Sequence, residues 1–256
     1  MKFRVLGSSG AELPGYNSPA FLIDGGLLLD AGTIGSSLSE REQWKIKNIL
    51  LTHSHLDHIK AIPFLADNLV MKKKKHSFAL YGIKETLTAL RENLLNDKIW
   101  PDFTKISVSL HPVVRLRPIT AGRTFRVSNY KITAYAMNHS VPAVGYSVSD
   151  KQGRTLVYTG DTGPTFEIWD RSLKVNAVII EVSLPDSMEA LARKTGHLTP
   201  ALLSRELDKM KNFPERIYIT HLKPQYIKQI EKQTREISLK KQVDIRILKD
   251  GEVYKV

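Results

Sequence analysis

Leu50-Leu51-Thr52-His53-Ser54-His55-Leu56-Asp57-His58 places four metal-capable side chains within six residues, directly behind the apolar run Ile49-Leu50-Leu51. Neutral imidazoles and carboxylates are ligands that a borderline ion such as zinc accepts, and the carboxyl end of a buried strand is where an α/β scaffold puts its chemistry. His53 and His55 stand two apart, so an extended backbone sends both rings to one side. Asp57 and His58 then fall on a turn leading into a helix over 59–69, from which they can face a second, neighbouring position. The stretch predicts a metal site with room for two adjacent ions. A single histidine is more often a surface or core residue. Here three of the chain's eight lie in one window with an aspartate between them, a density that neither packing nor solvation requires.

Working outward, 48–52 reads as the strand that delivers the motif, and 20–24 with 27–30 as a hairpin turning at Gly25-Gly26. A first strand at 3–6 runs into Gly7-Ser8-Ser9-Gly10 and the turn-rich Pro14-Gly15-Tyr16-Asn17-Ser18-Pro19, loops of a kind that line a substrate entrance. Ser39 followed by Glu40, Glu42 and Gln43 predicts a helix over 39–47. Beyond the motif come a strand at 77–82 and a helix at 84–95 with Leu87, Leu90 and Leu94 on one face. Short strand runs follow at 107–110, 125–127 and 131–135, then a hairpin pairing 144–149 with 155–159. Buried strands at 177–182 and 217–220 flank a helix over 200–211. A polar helix at 225–240 and a hairpin of 243–248 with 253–256 across Asp250-Gly251 end the chain. The order strands, helices, strands, helices, the second half repeating the first in plan, fits two sheets covered by helices. With no linker in view, 1–256 reads as a single domain.

A chain of 256 residues can bury a full core, and 42% apolar with 25% charged residues sets aside disordered and fibrous classes. No stretch approaches a membrane span, and Met1-Lys2-Phe3-Arg4-Val5-Leu6-Gly7 reads as a first strand rather than a signal peptide, so the expectation is a cytoplasmic protein with no membrane partner. The absence of cysteine removes disulfides, thiolate ligands and thiol nucleophiles together, leaving only nitrogen and oxygen donors for a metal. A net charge of +12 would concentrate anionic partners such as phosphate esters or nucleic acid, or serve as a solvated surface. Lys72-Lys73-Lys74-Lys75 reads as an exposed loop rather than a dedicated patch. Oligomeric state is left open, a homodimer included.

Other candidate ligands stand where strands end. His139 follows the strand through Tyr135, and His221 follows Ile217-Tyr218-Ile219-Thr220 in the same strand-Thr-His arrangement that introduces His53. Asp161, in Gly160-Asp161-Thr162-Gly163, either bridges two ions or is plain turn chemistry. His197 lies in a loop entering a helix, with Thr199 as N-cap and Pro200 at the first helical position, a setting in which a histidine can meet an anion. His76 beside the lysine run and His111 before Pro112 read as surface or structural residues.

The ordered set His53-Ser-His55-Leu-Asp57-His58, His139, Asp161 and His221 resembles the ligand motifs of the metallo-β-lactamase superfamily. More narrowly, Asp30-Ala-Gly-Thr33, Leu51 to His58, Ile99-Trp-Pro-Asp-Phe103, Gly196-His-Leu-Thr-Pro200 and Ile219-Thr-His-Leu-Lys-Pro224 look like the class II cyclic-nucleotide phosphodiesterases. The resemblance implies an α/β fold, the four-layer αβ/βα sandwich, with a dinuclear site at the edge between two sheets. One ion would be held by His53, His55 and His139, the other by Asp57, His58 and His221, with Asp161 bridging. Zinc is the first expectation for both ions, manganese or iron the alternatives.

The implied activity is hydrolysis of 3′,5′-cyclic AMP or GMP to the 5′-monophosphate by a hydroxide shared between the two ions. His197 would stabilise the phosphoryl oxygens and protonate the leaving 3′-oxygen, and Asp57 would orient the water as well as ligate. Trp100, Phe103 and Tyr226 either stack on a purine or pack in the core, packing being the favoured reading. The rival within the fold is a transfer RNA 3′-processing endonuclease, favoured by the positive charge and disfavoured by the lack of a long inserted arm and by Leu198 in place of a serine. A reading from another class is a non-catalytic, metal-stabilised nucleotide-binding protein.

Overall fold

A computed structural model describes residues 1–71, 76–107, 111–169, 175–210 and 212–256. Two seven-stranded sheets form the centre. The first runs, edge to edge, Val253–Lys255, Lys2–Gly7, Ala20–Ile23, Leu27–Leu29, Asn48–Leu50, Phe78–Gly82 and Val114–Pro118. The second runs Thr124–Val127, Tyr130–Met137, Ala143–Ser149, Thr155–Tyr158, Ala177–Glu181, Arg216–Thr220 and Ile245–Ile247. In each, three antiparallel pairings give way to three parallel ones. The repetition of plan expected from the order of elements is thus present strand for strand.

Strand periodicity divides the apolar residues among three interfaces. Leu50 and Tyr218 face the space between the sheets with Phe3, Phe21 and Tyr158, while Ile49 and Leu51 face one helical layer and Ile217 and Ile219 the other. Leu65, Leu69, Leu87 and Leu90 supply the helical side of the first interface, and Leu202, Leu203, Leu207 and Ile230 that of the third. The result is the four-layer sandwich. Each fully buried Leu, Ile or Phe in these layers contributes roughly 1.5–3 kcal/mol by leaving water. Polar ties cross between the sheets beneath the metal motif: Val144 N donates to Thr52 O at 2.9 Å and the Tyr146 hydroxyl to Leu51 O at 2.7 Å.

The structure corrects several boundaries. The last two strands make no hairpin: Ile245–Ile247 extends the parallel row beside Arg216–Thr220, and Val253–Lys255 crosses to the open edge of the first sheet to pair antiparallel with Lys2–Gly7. The crossing is fixed by Gly251 N donating to Val5 O and by Asp250 accepting from Ser8 Oγ and Asn17 N. The helix expected over 39–47 is a single turn, Glu40–Gln43, because the chain must turn back to begin Asn48–Leu50. Asp57 and His58 lie on a turn as expected, but that turn is itself helical, Leu56–Ile59, and the helix expected over 59–69 runs Ile62–Met71. The edge strand Val114–Pro118 carries two arginines and a proline and gave no sequence signal. Of the expected strand at 107–110, only Ser107 is described, in an isolated bridge to Pro112. Residues 108–110, the lysine run at 72–75 and the end of the expected helix at Lys211 lie outside the described residues. Among the described residues, no helix is long and apolar enough to cross a membrane.

Candidate metal centre

Strand ends from both sheets meet at one place. Asn48–Leu50 leads to His53 and His55, and the turn Leu56–Ile59 carries Asp57 and His58. Tyr130–Met137 leads to His139, Thr155–Tyr158 to Asp161, and Arg216–Thr220 to His221. The ligand atoms of His53, His55, His139 and Asp161 lie within 4.8 Å of one another, as do those of Asp57, His58 and His221. Asp161 stands between the groups: its Oδ1 is 3.3 Å from His58 Nε2, and its Oδ2 is 3.2 Å from His221 Nε2, 3.8 Å from His53 Nε2 and 4.0 Å from His139 Nε2.

Hydrogen bonds to the far side of each ring decide which nitrogen points inward. Asp30, fully buried at a left-handed φ of 53°, is the hub for the first sheet. It accepts from Thr52 N and Thr52 Oγ1, both at 2.8 Å, from the Tyr158 hydroxyl at 2.7 Å, and from His58 Nδ1 at 2.7 Å. Since Thr52 Oγ1 gives its proton to Asp30, it accepts from His53 Nδ1 at 3.0 Å. His139 Nδ1 donates to Gly196 O at 2.8 Å, and only glycine fits there, because φ is 71° and a Cβ would stand 2.9 Å from His139 Cα. His221 Nδ1 donates to Ser183 Oγ at 2.8 Å, which in turn donates to Glu181 at 2.9 Å. The Nε2 atoms of these four rings are thereby turned into the cluster.

These residues fit a metal. His53 Nε2 and His58 Nε2 are buried without a hydrogen-bond partner, a state costing about 1–3 kcal/mol per group unless something accepts the lone pair. His55 Nδ1 and His139 Nε2 face each other at 3.2 Å. Two atoms each about 2.1 Å from a tetrahedral ion are separated by roughly 3.4 Å, close to the spacings found here. Burial pushes His53, His55 and His139 below the usual imidazole range, into the neutral form that ligates. Burial opposes charge on Asp161 as well, yet His221 and His58 outweigh it and hold the carboxyl well below its ordinary value. Asp57, with a side chain 33% exposed, is likewise held low against burial by His221 and His58.

His197 stands beside this cluster, its ring stacked on His221 at 5.3 Å and edge-on to His139 at 5.2 Å. Burial would lower its pKa, but Glu181 Oε1, 2.7 Å from Nδ1, outweighs burial and brings it up to about 9. Thr199 caps the following helix as expected, accepting from Leu202 N. Glu181 also accepts from Thr162 N at 3.0 Å, so one buried carboxylate braces His197, the Asp161 loop and, through Ser183, His221.

The seven ligand candidates expected from the sequence and His197 come together in the structure, and His76 and His111 stand outside these groups. Glu181 and Ser183 carry no site expectation from the sequence, and Asp30 enters it only as a strand end and within the Asp30-Ala-Gly-Thr33 resemblance. The one available signal for Glu181 was an acid closing the otherwise apolar Ala177–Glu181. Phe103 is buried in the first core, Trp100 packs against it, and Tyr226 packs against the third, so all three take the packing reading.

Residues 22–222 match the family model described as a beta-lactamase superfamily domain. A probable 3′,5′-cyclic-nucleotide phosphodiesterase of Yersinia pestis is 22% identical over 71% of this chain, a match spanning only 58% of that protein. A Ribonuclease Z of Methanococcus maripaludis is 24% identical over 88% of this chain and 89% of its own length. The metallo-beta-lactamase fold protein YhfI of Bacillus subtilis superposes with a TM-score of 0.79 over 99% of this chain and 98% of that one, at 17% identity. With the family model spanning most of its length and the sandwich and a histidine-aspartate cluster able to hold metal in place, the chain belongs to the beta-lactamase superfamily.

Proposed function

We propose that the protein is a metal-dependent phosphodiesterase that opens 3′,5′-cyclic nucleotides to 5′-monophosphates. The observation that carries this reading is His197, paired with Glu181 and set against a cluster able to hold metal: a positive donor where a phosphodiester would sit. His53, His55 and His139 would hold one divalent ion, Asp57, His58 and His221 a second, with Asp161 shared between them; zinc is expected first. Such ions supply water of lowered pKa and positive charge for phosphoryl oxygens. Asp57, the partly exposed carboxylate, accepts a hydrogen bond from the attacking water and orients it. Water adds to phosphorus as the bond to the 3′-oxygen breaks, His197 gives its Nε2 proton to that oxygen while Glu181 keeps the ring in place, and the proton released by the attacking water returns to His197 through solvent.

A second reading, cleavage of transfer RNA precursors at the 3′ side, is favoured by the net charge of +12 and by the fuller coverage of the Ribonuclease Z relative. One screen separates the readings: metal-loaded protein against cyclic AMP, cyclic GMP, a linear dinucleotide and precursor transfer RNA in a single buffer. Turnover of cyclic nucleotides is the expected outcome. Inertness towards both, alongside cleavage of RNA with a steep salt dependence of binding, gives the second reading. Calorimetric binding of a nucleotide with no product from any substrate leaves a non-catalytic binding protein.

A further inference from the structure

We propose that the cavity beside the Asp57 turn is a nucleobase pocket, with Phe64 as its stacking face; this rests on the phosphodiesterase reading above. The cavity measures about 460 Å3 and is lined by Gly32, Thr33, Lys60, Ala61, Phe64 and Asn68 among others. That volume lies within the ~300–1,000 Å3 of small-molecule sites. Its floor is bonded to the ligand-bearing turn: Ala31 N donates to His58 O at 2.7 Å and Ala61 N to Ala31 O at 2.9 Å. A Cβ on Gly32 would stand 2.0 Å from Asp57 O, so the loop and the turn are in direct contact. The cavity therefore lies against the turn that carries Asp57 and His58.

The lining has the chemistry of a heteroaromatic site. Phe64 is 55% exposed, yet its ring is seated at 5.1 Å against Trp100, so it offers a supported aromatic surface to the cavity. Polar recognition at the base edge follows from a chain of amide assignments. Leu38 O can only accept, so the Gln43 group 3.0 Å from it is the amide nitrogen, and Gln43 Oε1 therefore accepts from Asn68 Nδ2 at 2.9 Å. Asn68 Oδ1 is left as an acceptor without a partner among the described residues, as is the Thr33 hydroxyl. An aromatic face with an amide oxygen and a hydroxyl suits a base carrying ring nitrogens and an amino group. At the rim Lys60 is ion-paired with Glu12.

Calorimetry on the metal-loaded protein compares AMP with ribose 5-phosphate, which lacks the base, and steady-state kinetics are run on cyclic AMP. Wild type is expected to bind AMP at least about tenfold more tightly than ribose 5-phosphate. Phe64→Ala should remove that difference and raise KM for cyclic AMP about tenfold with kcat nearly unchanged, while Phe64→Trp should restore both. Equal affinities in wild type, or a Phe64→Ala loss shared by both ligands, would overturn the pocket. Unchanged KM in Phe64→Ala with cyclic AMP still hydrolysed would overturn it too while leaving the phosphodiesterase reading intact. Phe64-dependent AMP binding without cyclic-nucleotide turnover would sustain the pocket and reject the substrate.

Discussion

The first sheet delivers His53, His55, Asp57 and His58 from the end of a single strand, whereas the second delivers His139, Asp161 and His221 one at a time from three strand ends. In the first group the mutual geometry is local, set by the two-residue period of an extended segment and one helical turn. In the second it depends on sheet register, since Asp161 and His221 are brought level by the parallel pairing of Thr155–Tyr158, Ala177–Glu181 and Arg216–Thr220. Each half has its own buried carboxylate as hub, Asp30 in the first and Glu181 in the second. The fourth strand of each sheet, where antiparallel pairing gives way to parallel, leads to an aspartate: Asp30 in one, Asp161 in the other. Equivalent places in the plan thus carry different work, the one bracing ligands from behind and the other standing among them.

The largest expected effect comes from the residue between the two groups. Asp161→Ala should lose bound metal and lower kcat/KM on the order of 10^3-fold or more. Elemental analysis decides it, and unaltered metal content would remove Asp161 from the bridging role. Next, His197→Ala should lower kcat by about 10^2–10^3-fold with metal content unchanged. A parallel loss of metal would make His197 a ligand instead. The hubs themselves sharpen the contrast. Asp30→Asn is expected to weaken metal affinity by ~10–100-fold through His58 and His53, while Glu181→Gln should lower kcat within a similar range and retain the metal. If chelator titrations and kinetics gave the reverse pattern, the division of labour between halves would fail. The smallest effect is local: Thr199→Ala should cost about 1 kcal/mol of stability by uncapping the helix behind His197, read as a lower denaturation midpoint.

The same contrast explains what could be read in advance. The first ligand group is legible because its side chains are close in sequence, and strand and turn periodicity translate directly into direction. His139 and His221 were legible as histidines at the ends of apolar runs. Glu181 was not, because an acid at a strand end has no meaning until the loops bearing Thr162, Ser183 and His197 are laid over it. The last strand was misplaced for a related reason. Its apolar alternation fits either sheet, and only the free edge beside Lys2–Gly7 selects between them.

The alternation of strands and helices, the donor chemistry left in a chain without cysteine, and the residues able to hold a metal are legible in the amino-acid order. Those follow from side-chain type and backbone period, which are local properties. Only the packed structure shows that three strand ends of one sheet face a single strand end of the other, that Asp30 and Glu181 aim the rings, and that a cavity lined by the exposed Phe64 lies against the turn of Asp57 and His58. Those depend on sheet register and on the packing of one sheet over the other, which join residues from 16 positions apart, as Glu181 and His197, to 164, as Asp57 and His221, all beyond the reach of a strand or helix period.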